Sequence, residues 1–468
     1  MAIYYVRPDG NNTFAGTGPL ASQAWATITK AAQTMVAGDT VWIAPGVYRE
    51  TVEPSTPGTS GNTIKFFGDP NCQYFTDMTP GPVQIKPFDV AGAPGLDSYA
   101  FKATTAGRIY YDLQDLALSM ATFGINCLTY LTITRCRVHG TYAGISTTGV
   151  AGLVFTDSVI SGGEIGVLYS GSGVASMLRC VVWGGNIAVD GGGSTLTLTF
   201  CLIRNGVSKS SGTLNAYGCM LSGGHNNITP SCIYTGAAVT MTLKGCSFEK
   251  ASRGLNDSPG TGANLTVQGC FFQHLATGLL RNSTTIAPTI SYCQFYKCQK
   301  GTYTAMSTTL GSCGFDEVDV AVNGSGTLTV TSCLGHAVTK SASSGVTLSG
   351  SLTYGAFTPK AGNAITTTSP IAGTKSLRMA GYDYTPVFVQ QVACEKGKVK
   401  PVKVKVKLTS ASDSVTITLG DQTATTTATT NVQTLTLTYT HYDTEYLPLF
   451  ICATPVTTNQ VLIDDIAA

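Results

Sequence analysis

The sequence predicts an all-β chain dominated by a right-handed parallel β-helix, and three observations point there. Among 468 residues stand 53 Gly, and long stretches of Thr, Ser and Val favour strands and tight turns over helices. An apolar phrase with a cysteine at its centre returns along the chain, as in LTITRCRVHG, SMLRCVVWGG, LTVQGCFFQH and LTVTSCLGHA. Its centres fall at Cys136, Ser158, Cys180, Cys201, Cys219, Cys246, Cys270, Cys293, Cys313 and Cys333, a mean spacing of about 22 residues that marks the coil of a solenoid.

The columns of the repeat support that reading. Two positions after the centre stand Val138, Ile160, Val182, Ile203, Leu221, Phe248, Phe272, Phe295 and Phe315, with Gly335 in the tenth phrase. Three positions before it stand Ile133, Phe155, Met177, Leu198, Ala216, Leu243, Val267, Ile290, Leu310 and Val330. Both columns are expected to face a core. The alternation of period two slips by one between the second column and the centre, so each phrase is expected to be two short strands meeting at a corner. Variable steps place insertions at the turns, and the usual sense of parallel crossovers makes the helix right-handed.

Nine of the fifteen cysteines share the central column. Buried Cys packs as a small hydrophobe, so a ladder of reduced thiols is expected rather than disulfides. No C-x₂-C metal spacing occurs; Cys293 and Cys298 are the closest pair. Reduced thiols also suit assembly in a reducing cytoplasm.

In the first fifty residues Trp25, Ile28, Ala32 and Met35 have helical spacing, and Gly38 and Asp39 end the helix before the strand TVWIAPG. A capping helix is expected, because an open first coil would expose apolar core and unpaired strand edges. The run from Tyr4 to Gly10, then GDTV from Gly38, then Pro45 to Glu50, resembles the N-terminal entry of the pectin-lyase-like β-helix superfamily. NTIKFFGDP and VQIKP continue in the style of its first coils, and the likeness covers roughly residues 1–350.

Beyond that point the cysteine phrase stops. TPKAGNAITTTSPIAG reads as a connector, and KPVKVKVKL, DSVTITLG and VQTLTLTYT alternate as strands with one wet face. An antiparallel, jelly-roll-like β-sandwich is expected there. The expected organisation is a cap over residues 1–50, the solenoid over 51–352, a linker over 353–372 and the sandwich over 373–468. GTKSLRMAG and QVLIDDIAA resemble edge strands of carbohydrate-binding modules, a likeness that implies a structural calcium at Asp464 or Asp465. No other cofactor is expected. Lys403, Lys405 and Lys407 share one strand face, read as a protected edge or a solvated surface.

Only 12% of residues are charged and the net charge is +2, so no field recommends nucleic acid as a partner. MAIYYVRPDG carries neither a basic n-region nor an apolar h-region, and no later run is apolar enough for a membrane span. Chemistry is therefore sought in outward columns. Three positions after the centre stand His139, Ser161, Trp183, Arg204, Ser222, Glu249, Gln273, Tyr296, Asp316 and His336. From these, Trp183, Arg204, Glu249, Gln273 and Tyr296 are taken as a carbohydrate-binding face, where rings support a sugar and polar groups fix its hydroxyls.

No paired acids for glycoside hydrolysis stand in that column, so no catalytic residue can be named. Asp157 lies between Arg135 and Arg179 in the column before the centre, and reads as part of a surface ion-pair stack. An elongated solenoid with a terminal sandwich and no export signal resembles bacteriophage tailspikes and related virion proteins. That resemblance implies a virion-associated homotrimer recognising a host-surface glycan beside other virion proteins. A polysaccharide depolymerase (lyase or glycoside hydrolase) and a purely structural virion component are the alternatives.

Overall fold

The computed structural model describes residues 1–342 apart from 88–97, 105–109, 129, 149–151, 171–172, 193–194, 224–229, 237–238, 258–263, 282–286, 305–307, 325, 332, 337 and 339. From there it describes mainly the strands lying between 346 and 467. The chain is a parallel β-solenoid with coils of roughly 22 residues, followed by antiparallel strands. It divides into two compact units, Met1–Asn215 with Ser222–Val239, and Ala216–Leu221 with Thr240–Ala468.

In the first unit, from the coil that opens with Ile64–Gly68 onward, each coil gives one strand to each of three parallel sheets. In the first sheet Leu131–Thr134 lies between Tyr111–Gln114 and Gly152–Thr156. Arg137–Gly140 lies between Ala117–Leu118 and Val159–Gly162 in the second, and Ala143–Thr147 between Phe123–Cys127 and Ile165–Tyr169 in the third. The second unit repeats the plan. Leu265–Gln268 pairs with Val239–Lys244 and Thr289–Ser291, Phe271–Gln273 with Ser247–Glu249 and Gln294–Tyr296, and Thr277–Arg281 with Arg253–Asp257 and Lys300–Thr304.

Both inward columns read from the repeat are buried wherever their side chains are described, from Val138 to Phe315 and from Ile133 to Leu310. Val330 and Gly335 lie outside the residues whose burial is described. The slip in alternation has a backbone cause. The residue just before the centre sits in the left-handed region: φ is 51° at Arg135, 51° at Asp157, 52° at Arg179 and 52° at Phe200, with Gly218, Gly245 and Gly269 taking the place in later coils. One left-handed residue turns the chain from the first sheet into the second. That conformation is costly for a side chain, but the corner keeps its hydrogen bonds, since Arg135 N donates to Thr156 O and Asp157 N to Leu178 O, each at 3.0 Å. The outward corner side chains form two ion pairs, Arg135 with Asp115 at 2.8 Å and Arg179 with Asp157 at 2.6 Å.

The central column is buried, and its thiols do more than fill space. Cys201 Sγ lies 3.4 Å from the carbonyls of Met177 and Thr199, and Cys246 Sγ lies 3.4 Å from Ala216 O and 3.5 Å from Lys244 O. The column therefore suits a small side chain with a donor, which is why Ser158 can replace a cysteine: its hydroxyl donates to Thr156 O at 2.8 Å. Burial pushes the Cys136 thiol up to about 12, so it stays protonated and unreactive. Among the described residues no two cysteines form a disulfide. Thiol titration of denatured, unreduced protein is expected to count nearly all fifteen cysteines. A count of roughly half or fewer would overturn the ladder, because each missing pair is a bridge.

The cap is a helix over Ile28–Thr34 with Thr27 as N-cap, its side chain accepting from Lys30 N. Glu50 explains the end of the entry motif: its carboxylate accepts from Ile28 N at 2.8 Å and Thr29 N at 2.7 Å, satisfying two donors of the first turn. Asp39 accepts from Ala2 N at 2.7 Å and Val36 N at 3.0 Å, which closes the turn after the helix.

The C-terminal strands make two antiparallel sheets. One runs in the order Ala364–Thr366, Ser376–Ala380, Gln460–Ala467, Val399–Leu408, Val432–Thr440; the other runs Val387–Cys394, Glu445–Thr454, Ser414–Leu419, Gln422–Thr425. Val404, Val406 and Leu408 are buried and alternate with the lysines, of which Lys403 is exposed. Because Val399–Leu408 is paired on both sides, the lysines mark a solvated face and not a sheet edge. Asp464 and Asp465 lie on Gln460–Ala467, and their side chains fall outside the described residues, as do most residues of the expected linker.

Candidate functional site

The outward column three places after the centre stands at the last or next-to-last position of the strands of the second sheet. In the first unit the register sets His139 beside Ser161, Ser161 beside Trp183 and Trp183 beside Arg204. His139 is exposed and its Nδ1 is 2.9 Å from Ser161 Oγ, whereas Ser161 is buried. Trp183 and Arg204 are half-buried neighbours.

In the second unit Glu249, Gln273, Tyr296 and Asp316 occupy consecutive rungs. The column was expected to be outward and exposed throughout. Glu249 departs from that: it is 5% exposed. Two neighbours hold its carboxylate, Gln273 Nε2 donating to Oε2 at 2.7 Å and Lys250 Nζ lying 3.4 Å from Oε1. Desolvating a carboxylate is costly unless it is hydrogen-bonded and paired, and both conditions are met. The Tyr296 ring is half-buried, with the Lys297 ammonium 4.9 Å from its centre and the His274 ring edge-on at 5.7 Å.

These flanking groups come from a second left-handed corner, one residue further on. Lys250, His274, Lys297 and Glu317 have φ of 57°, 53°, 49° and 50°. His274 N donates to Tyr296 O at 3.1 Å and Lys297 N to Asp316 O at 3.0 Å, so this corner also keeps its ladder. Sequence reasoning passed over this polar column. Its signal was present: a polar residue stands between the outward position and the buried Leu275, Cys298 and Val318.

The second unit thus offers a carboxylate, an amide, a phenol and another carboxylate in a row, flanked by two lysines, a histidine and a glutamate. Glu249 and Asp316 are three rungs apart, about 14 Å, outside the separation of roughly 5 to 9.5 Å that glycoside hydrolysis uses. The row presents a ring face beside groups that donate and accept hydrogen bonds. Among the described residues no group of three or more His, Cys, Asp or Glu side chains converges as a metal site, and no helix is long and apolar enough to cross a membrane.

No protein-family model matches the chain, and no curated protein sequence matches it. Several solved structures have a similar backbone course. A protein solved as XylC with xylose has a TM-score of 0.40 at 10% identity, over 83% of this chain and 91% of that one. A pectate lyase has a TM-score of 0.38 at 13% identity, over 80% of this chain and 83% of that one. The tailspike protein of Pseudomonas phage LKA1 has a TM-score of 0.25 at 13% identity, over 82% of this chain and 67% of that one.

Proposed function

We propose that the protein is a virion-associated β-solenoid that recognises a host-surface polysaccharide, as a tailspike or a tail or capsid decoration does. The observation that carries this reading is the row Glu249, Gln273 and Tyr296. A ring offers a face to the apolar side of a sugar, while the Gln273 amide one rung away, held by the buried Glu249 carboxylate two rungs away, can donate to and accept from its hydroxyls. Trp183 beside Arg204 repeats the pairing of ring and polar group in the first unit. Such contacts are individually weak. A homotrimer presenting three copies would add them by avidity, which is the state this reading expects.

Glycan-array binding and a reducing-end assay with host envelope polysaccharide test the proposal. Tyr296→Ala and Trp183→Ala are each expected to lower affinity about tenfold, equivalent to about 1.4 kcal/mol, with fold and oligomer unchanged. Glu249→Gln is expected to change affinity modestly, and under this reading neither the parent nor the variant is expected to release reducing ends. Release of reducing ends that Glu249→Gln suppresses by orders of magnitude would instead make the protein a depolymerase. Unchanged binding in all three variants would leave a structural virion component.

A further inference from the structure

A second aromatic surface lies in the first unit, on the outward side of the first sheet at its opening coils. The register there runs Tyr5, Trp42, Phe67 and Gln114 on successive rungs. Trp42 and Phe67 meet at 5.4 Å and 65°, and all three rings are half-buried. Tyr74 reaches over from the next turn, stacks on Trp42 at 4.2 Å and 29°, and stands 6.4 Å from Tyr5 while 41% exposed. Phe75, fully buried, supports Tyr5 edge-on at 6.0 Å.

The turn that brings Tyr74 is held rigidly. Asp69, itself buried, accepts from Gln73 N at 2.8 Å and Tyr74 N at 2.7 Å, and its own N–H donates to Ile43 O at 2.8 Å. The buried Arg7 ties Asp77 at 3.0 Å and Asp9 at 2.6 Å. The rings are therefore fixed before any ligand arrives, and little ordering cost remains for binding. In the adjoining outward column Lys65 sits beside Asp112, so opposite charges stand together along the floor. Gln114, at the end of the ring column, donates from Nε2 to Asp115 Oδ2 at 2.9 Å and keeps its carbonyl oxygen as an acceptor.

We infer that this floor of Tyr5, Trp42, Phe67 and Tyr74, bordered by Lys65, Asp112 and Gln114, is a binding site for an uncharged oligosaccharide. Four rungs span about 14 Å, which fits a short chain of sugar rings better than a single ring. The rings take the apolar faces of the sugars. The balanced pair Lys65 and Asp112 recruits neither anions nor cations and serves hydroxyls from both sides. This site stands apart from the Trp183 and Tyr296 positions of the second sheet and does not depend on them.

Titration calorimetry with neutral hexasaccharides of β-glucan, xylan and mannan, and with a galacturonate hexamer as the charged comparison, tests it. A neutral chain is expected to bind wild type more tightly than the galacturonate. Tyr74→Ala and Trp42→Ala should each lower that affinity at least tenfold, whereas Tyr234→Ala, at an exposed ring of the third sheet, should leave it unchanged. Tyr74 is the safer substitution, since it is the exposed ring. The inference is overturned if no neutral hexasaccharide binds, if Tyr74→Ala binds like wild type, or if either substitution turns an oligomer into monomers, which would assign the floor to contact between copies of this chain.

Discussion

Phe272→Ala is expected to lower stability by about 3 to 5 kcal/mol, among the larger losses a core truncation produces. Phe272 is fully buried between Phe248, at 4.6 Å and 6°, and Phe295, at 4.9 Å and 8°. Phe295 in turn stacks on Phe315 at 5.0 Å and 7°. Removing the ring forfeits two stacked partners as well as its buried area, and each aromatic pair contributes about 0.5 to 1.5 kcal/mol beyond area. Collapse around the cavity is resisted, because the rungs on either side are fixed by backbone ladders at the strand spacing. The third sheet shows how closely the rings fit: a Cβ on Gly254 would come within 2.7 Å of Phe272 Cδ1, and one on Gly278 within 2.6 Å of Phe295 Cδ1. Reversible denaturation measures the loss. A change under about 0.5 kcal/mol, the range of surface substitutions, would mean that the column does not face the core.

That stack also shows what the sequence discloses and what it hides. The inward column of Phe248, Phe272, Phe295 and Phe315 is legible because burial restricts residue type at a fixed offset from the cysteine. The corner is legible only as a slip in alternation, since the left-handed residue is Arg135, Asp157, Phe200 or Gly245 in different coils and so leaves no composition signal. The fit of Phe295 over Gly278 is not legible, because it joins a residue of one coil to a glycine of the preceding one across sheets. Burial of Glu249 could not be foreseen from its own column, as it depends on Lys250 at the next corner and on Gln273 one coil on. Tyr5, Trp42, Phe67 and Tyr74 were missed for another reason: the opening coils precede the cysteine phrase, and Tyr74 reaches the column from a turn.

Arg281→Met is expected to cost about 3 to 5 kcal/mol, the loss found when one partner of a buried ion pair is removed. Arg281 and Asp257 are neighbours on adjacent rungs of the third sheet, with Arg281 Nη1 3.0 Å from Asp257 Oδ2. Their side chains are 1% and 9% exposed. Burial holds the Arg281 guanidinium below its ordinary value, and the Asp257 carboxylate opposes that effect. The two charges were desolvated together on folding, so a methionine at 281 keeps the volume of the arginine stem but leaves the carboxylate in a dry site deprived of its guanidinium. The pair itself need not be a net source of stability, since two apolar residues of similar volume often serve as well or better. The double variant Arg281→Met with Asp257→Leu is therefore expected to recover most of what Arg281→Met loses. The coupling between the two sites, measured by chemical denaturation of both singles and the double, should exceed about 1 kcal/mol. Additive single effects would show that the two charges are solvated independently and that the third sheet does not bury them as a pair.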